Sequence, residues 1–122
     1  MLKKENRLKK NSQFSYIYKH GQTKHTPILS LSFVKTQYKP FKVGFTVSKK
    51  IGKSVVRSKV KRRLREAFRL LIDKVNANYN YIFIARPGIE NANFQEIQQT
   101  MISLLEKANL ITKSWKLQDK LS

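Results

Sequence analysis

The segment VVRSKVKRRLREAFR, Val55 to Arg69, constrains this chain most, because seven basic side chains and one acidic one crowd into Arg57–Arg69 among apolar residues. Like charge at that density repels itself, so the segment needs a geometry that sorts cations from apolar groups and a counter-charge to lie against. Val56, Val60, Leu64, Ala67, Phe68, Leu71 and Val75 recur at helical spacing, which predicts a helix of about Val55 to Val75 with one apolar stripe. At about 100° per residue, Ser58, Lys61, Arg62, Arg65 and Arg69 share a face beside that stripe, and Lys59 and Arg63 lie on the far flank. One side can pack on a sheet while another presents guanidinium forks, the group best suited to bidentate phosphate contact. Glu66 fits a pair with Arg62 or Arg69, and Asp73 with Arg69, as ordinary neighbours one helical turn apart.

The wider charge balance points the same way. The 122 residues carry a formal charge of +19, and residues 1–69 hold 20 basic and two acidic side chains against six and five in the rest. Such an excess opposes compaction unless a polyanion neutralises it, so nucleic acid is the leading partner and the first half of the chain should meet it. A Lys/Arg-rich run also serves as a solvated face, a localisation signal or a membrane-surface helix. The helical facing, the further runs Lys3–Lys10 and Lys49–Lys50, and the one-sided distribution weigh against a merely solvated face or localisation signal. The apolar stripe is, besides, needed to cover a sheet.

Hydrophobic residues make up 40% of the chain, enough for one domain with a modest core. There is no cysteine, hence no disulfide or thiolate metal site. The N-terminal MLKKENRLKKNS has no apolar targeting core, and the run Tyr81–Ala85 is far short of the roughly 20 residues of a spanning helix. A soluble, cytoplasmic protein with no membrane partner is expected.

Residues 1–11 read as a basic arm. Phe14, Ile17 and Tyr18 mark a short helix from Ser12 to His20, with Ser12 as N-cap and Gly21 past its end. Alternation in Leu29–Val34 and Phe41–Val47 predicts two half-buried strands, joined by a hairpin loop that contains Pro40. The apolar Tyr81–Arg86 predicts a central strand closed by a Pro87-Gly88 turn. Asn93 and Glu96 fit a capping box for a last helix that buries Phe94, Ile97, Met101, Leu104, Leu105 and Ala108, followed by a C-terminal tail, 109–122. The order α-β-β-α-β-α gives a single α+β domain, a small sheet packed by helices.

A catalytic inventory is thin. Glu66 and Asp73 would stand about 10 Å apart along the helix, too wide to bracket the ~4 Å spacing of two metal ions. His20 and His25 have no carboxylate near them in sequence, and neither a nucleophile turn nor a phosphate-binding loop is present. A histidine-dependent ribonuclease needs groups that only tertiary folding could assemble. Phe14, Tyr16, Tyr18, Phe33, Phe41 and Phe45 serve either as core or as stacking platforms for unpaired bases. Ser30 and Ser32 leave one sheet face polar.

These residues carry a family resemblance. VSKKIGKSVVRSKVKRRLREAF, Val47–Phe68, resembles the signature of the bacterial ribonuclease P protein component, where Ser-Lys-Lys-Ile/Val-Gly leads into the basic helix Arg-Asn-x-x-Lys-Arg-x-x-Arg. RLKKNSQFSYIYKHG, Arg7–Gly21, resembles the family's opening, and YIFIARPG, Tyr81–Gly88, falls at its strand after the basic helix. The likeness spans nearly the whole of one domain, 1–122. It implies that Arg57, Lys61, Arg62 and Arg65 contact a catalytic RNA subunit, with Lys49, Lys50, Lys53, Ser58 and Arg69 on the same surface. Ser58 stands where the family usually has Asn and keeps a hydroxyl without the amide's paired donor and acceptor; Ser54 stands where Ala is common.

The resemblance further implies that Phe14 and Tyr18, with Phe33 on a neighbouring strand, hold the single-stranded 5′ leader of precursor tRNA. It implies a left-handed strand-helix-strand crossover around the basic helix, against the usual preference. It also implies that the RNA, with bound Mg²⁺, hydrolyses the precursor to leave the mature tRNA 5′ end, so no catalytic residue, no protein-held metal and no obligate protein partner is expected. A structural RNA-binding protein or RNA chaperone needs the same charge and no reaction, and an autonomous ribonuclease would cleave with no RNA subunit present.

Overall fold

The computed structural model describes residues 6–111. Their elements are α1 (Asn11–His20), β1 (Gln22–His25), β2 (Leu29–Lys35), β3 (Val43–Thr46), α2 (Ser54–Arg69), β4 (Tyr79–Ala85) and α3 (Phe94–Lys107). The α+β class and the expected order hold, with β1 as an added edge strand whose residues QTKH carry no apolar alternation.

The expected hairpin between the second and third strands does not form. The sheet order is β1-β2-β4-β3, so β4 lies between β2 and β3, antiparallel to the first and parallel to the second. The apolar run in β4 is best covered at the sheet centre, and it takes that slot. Spanning it requires about 10 Å between strands two apart, well within reach of a loop this long. The loop is tied to the start of β4: Thr36 N–H donates to Asn78 O (2.8 Å), Lys39 Nζ to Ala77 O (2.7 Å), and Lys42 N–H to Asn80 Oδ1 (2.7 Å). Parallel pairing of β3 with β4 makes α2 the crossover element.

Strand alternation divides the side chains between two faces. Leu29, Leu31 and Phe33 of β2 lie level with Ala85, Phe83 and Tyr81 of β4, and they join Val43 and Phe45 in the main core with α2 and α3. Ser30, Ser32 and Val34 lie level with Ile84, Ile82 and Asn80 on the opposite face, where α1 packs. There Ile17, Leu8 and Ile82 form a second, smaller core.

Both ends of the described chain join the fold sooner than expected. Within the basic arm, Leu8 is buried and its N–H donates to Val43 O (3.1 Å), while Asn6 Nδ2 donates to Phe41 O (2.8 Å). Within the C-terminal tail, Leu110 and Ile111 are buried and Asn76 N–H donates to Leu110 O (2.7 Å). The remainder of those two segments, 1–5 and 112–122, lies outside the described residues.

Helix α1 begins one residue before Ser12; Gln13 Oε1 accepts from Lys9 N–H (3.0 Å) and Lys10 N–H (3.1 Å), replacing the serine cap. Its end fits Gly21, where a Cβ would lie 2.5 Å from Ile17 O and would also meet Phe33 O. Helix α2 stops at Arg69, short of Val75, although Leu71 and Val75 are still buried. Successive turns such as Leu71 N–H to Phe68 O (2.8 Å) and Lys74 N–H to Leu71 O (2.9 Å) keep a helix-like spacing after the regular helix has ended. Asp73 is therefore off the basic helix.

The α3 capping box is present: Asn93 Oδ1 accepts from Glu96 N–H (2.9 Å) and Glu96 Oε1 from Asn93 N–H (3.3 Å). Asn93→Ala should lower stability by about 1 kcal/mol in chemical denaturation with an unchanged m-value. Tyr81 is wholly buried; burial pushes its phenol above the ordinary range, and its hydroxyl donates to Asn76 O (2.5 Å).

Candidate RNA interface

The approach to α2 is built by a 3-10 turn at Lys49–Ile51 and a glycine. Ile51 is buried, which anchors the turn and leaves Lys49 and Lys50 exposed beside it. Gly52 has φ 154°, a conformation that side chains disfavour, and a Cβ there would come within 3.2 Å of the Val56 side chain. Lys53 then leads into α2 with its side chain exposed.

Along α2, Val60, Leu64, Ala67 and Phe68 are buried against the sheet, and Val56 is packed at the margin. The seven basic side chains of the helix are not equivalent. Arg57 Nε donates to Gly52 O (3.2 Å), which ties the helix to its own approach loop. Arg63 Nη1 donates to Ala92 O (3.2 Å), joining α2 to the turn before α3. Arg69 pairs with Glu66 at 3.2 Å, one of the two pairings expected for Glu66. Lys59, Lys61, Arg62 and Arg65 make no hydrogen bond or ion pair within the described residues. Lys61, Arg62 and Ser58 are exposed and Arg65 is half-buried, so a row of cations stands ready for an external anion.

A second surface lies over the α1 face of the sheet. Phe14 packs on β3 at Gly44, where a Cβ would stand 2.6 Å from Phe14 Cε1 and 2.7 Å from Cζ. Tyr18 projects beside it, its ring half-exposed and its hydroxyl 3.5 Å from Thr46 Oγ1. On the floor, Ser32 Oγ bonds Thr23 Oγ1 (2.9 Å) and Ser30 Oγ bonds His25 Nδ1 (2.9 Å). Both serines are buried, so the open polar rim is supplied by Thr23 and His25. Those two were missed because the polar strand β1 was; only its pairing with Ser30 and Ser32 brings them here.

Phe33 is not brought to this surface. It shares parity with Leu29 and Leu31, is 6% exposed, and packs edge-on to Tyr79 (6.0 Å between ring centres) in the main core, on the face opposite Phe14 and Tyr18. Phe41 and Phe45 are likewise core rings around Phe68. Among the described residues no three His, Asp or Glu side chains come together, and no helix is long and apolar enough to cross a membrane. His20 instead lies against the Tyr16 ring (4.6 Å).

Gly44→Ala should push Phe14 off β3. A loss of roughly 1–3 kcal/mol is expected, read as a lower thermal midpoint, because the new methyl would overlap the Phe14 ring and press on Leu8 Cδ1 at 3.0 Å, so the ring must leave its seat on β3.

Residues 2–109 match the family model described as Ribonuclease P. This chain belongs to the ribonuclease P protein family. A ribonuclease P protein component from Alkaliphilus oremlandii is 42% identical over 113 residues, covering 93% of this chain and 99% of that protein. Another from Clostridium botulinum is 40% identical over 108 residues, covering 88% and 97%. The Staphylococcus aureus RNase P protein superposes with a TM-score of 0.82 at 30% identity, covering 89% of this chain and 100% of that one. The Thermotoga maritima RNase P protein gives 0.75 at 25% identity, covering 83% and 96%. The ribonuclease P match thus takes in the α1 surface, the approach turn and α2 together, not the basic helix alone.

Proposed function

We infer that this chain is the protein subunit of a ribonuclease P holoenzyme, promoting endonucleolytic maturation of the tRNA 5′ end. The observation that carries it is the division among the cations of α2. Arg57, Arg63 and Arg69 are held by the protein, while Lys61, Arg62 and Arg65 have no side-chain partner among the described residues, on a helix anchored by its other side. In this reading the catalytic RNA lies along Lys61, Arg62 and Arg65 and across Lys49, Lys50 and Lys53. Ser58 contributes a hydroxyl, Arg57 braces the turn, and Arg69 marks the far end. Mg²⁺ is held mainly by the RNA, which performs the hydrolysis in the cytoplasm.

The single-stranded 5′ leader of precursor tRNA crosses the α1 surface. Tyr18 stacks on a base, Phe14 supports it from α1, and Phe33 stiffens the strand from beneath without touching RNA. Tyr18→Ala in the reconstituted holoenzyme should weaken precursor tRNA by roughly tenfold, one stacked base. Mature tRNA, which lacks the leader, should bind as before. Equal loss for both, or for neither, in fluorescence titrations would remove the leader from this surface.

A further inference from the structure

Helix α1 has two flanks, and the leader surface accounts for only one. At helical spacing Phe14 and Tyr18 point to one side, and Gln13, Tyr16 and His20 to the other. On that other side lies a separate cleft of about 680 Å³ between α1, the end of β2 and the loop that follows it, within the range of ~300–1,000 Å³ usual for ligand clefts. Its floor includes Val34 and Leu8. Tyr16 and Tyr38 stand at its walls, 55% and 84% exposed.

These tyrosines have no evident role in the fold, yet neither sits on loose chain. Tyr16 lies against the His20 ring. Tyr38 N–H donates to Thr36 Oγ1 (3.2 Å), and its neighbour Lys39 is pinned to Ala77 O and Asn78 Oδ1. The lining contains Lys35 and Lys42, the amides Gln13, Gln37 and Asn80, and no Asp or Glu. Lys35 is exposed, and its side chain makes no hydrogen bond or ion pair within the described residues. Exposed rings on a held backbone, amide groups able to read a base edge and a phosphate-seeking cation are the components of a single-stranded RNA site.

We propose that this cleft is a second RNA-binding site, which takes an unpaired nucleotide between Tyr16 and Tyr38 with its phosphate toward Lys35. The proposal rests on the RNA-binding reading but uses the flank of α1 opposite Tyr18. The nucleotide comes either from the precursor leader beyond the first surface or from an unpaired segment of the catalytic RNA; the chemistry of recognition is the same.

The test is photocrosslinking in the reconstituted holoenzyme with 4-thiouridine placed either in the precursor leader or in the catalytic RNA, with crosslinked residues mapped by mass spectrometry. Affinities of Tyr38→Ala, Tyr16→Ala and Tyr38→Trp for a single-stranded RNA hexamer accompany it. Crosslinks to Tyr16 or Tyr38 are expected from one of the two RNAs, which identifies the source. Each alanine variant should lose roughly five- to a hundredfold in hexamer affinity, and Tyr38→Trp should keep it. Tyr38 is so exposed that its removal leaves the fold intact, so unchanged affinity in Tyr38→Ala together with no crosslink at the cleft overturns the second site. If Tyr18→Ala still impairs precursor binding in that case, the leader surface stands and only this cleft fails.

Discussion

Replacing Arg62 and Arg65 together by alanine is expected to weaken binding of a catalytic ribonuclease P RNA by at least about a hundredfold near physiological salt. Each guanidinium lost removes a charge-assisted contact worth about 1.5–3 kcal/mol. It also removes a site of counterion release, so the slope of log affinity against log salt should flatten by about 1.4–1.8. Neither side chain has a partner within the described protein, so the thermal midpoint should hold or rise slightly as repulsion along α2 is relieved. Arg63→Ala provides the contrast. It breaks the bond to Ala92 O and should cost stability, with little change in the salt slope. If Arg63 moved the slope as much as the Arg62 and Arg65 pair, the division of the cations between fold and RNA would be wrong.

The second large effect is on the fold that aims those cations. Phe68 lies on the buried side of α2, fully enclosed, with ring centres of Phe83, Tyr81, Phe45 and Phe41 at 5.6, 6.0, 6.2 and 6.3 Å. Four surrounding rings on two strands and their flanking loop cannot all collapse into the gap left by alanine. Phe68→Ala should therefore cost about 3–5 kcal/mol and lower the thermal midpoint by roughly 10–20 °C. RNA binding should weaken in step with the folded fraction and with an unchanged salt slope, because no phosphate contact is removed. A midpoint shift of only about 2 °C would mean that α2 is not held through this residue.

The basic helix was legible because its apolar stripe and its cations obey one period, and the period that buries Phe68 leaves Arg62 exposed and Arg65 half-buried. Its end was not, since the turns from Leu70 to Val75 keep burying residues at helix-like intervals. Alternation located β2 and β3 but carries no information about which strands pair. The pairing was settled by β4, which arrives later in the chain and inserts between them. Phe33 shows how far parity alone reaches: sharing a face with Leu29 and Leu31 commits it to the core beneath α2 and α3. Phe14 reached its surface by way of α1, and only Gly44, the one β3 position that lets a ring lie on the backbone, marks where it lands. The partition of seven cations into tied and untied groups needed tertiary contacts, because Gly52 and Ala92 act through backbone carbonyls that no side-chain pattern reveals.

The most direct measurement is 5′-end processing of a precursor tRNA at low Mg²⁺ by a bacterial ribonuclease P RNA, with this protein, without it, and with the protein alone. Cleavage at the mature 5′ end only when both are present, or strongly enhanced over the RNA alone, is the result expected of a protein subunit. Cleavage by the purified protein alone, or intact RNA binding with no enhancement of cleavage, would contradict it.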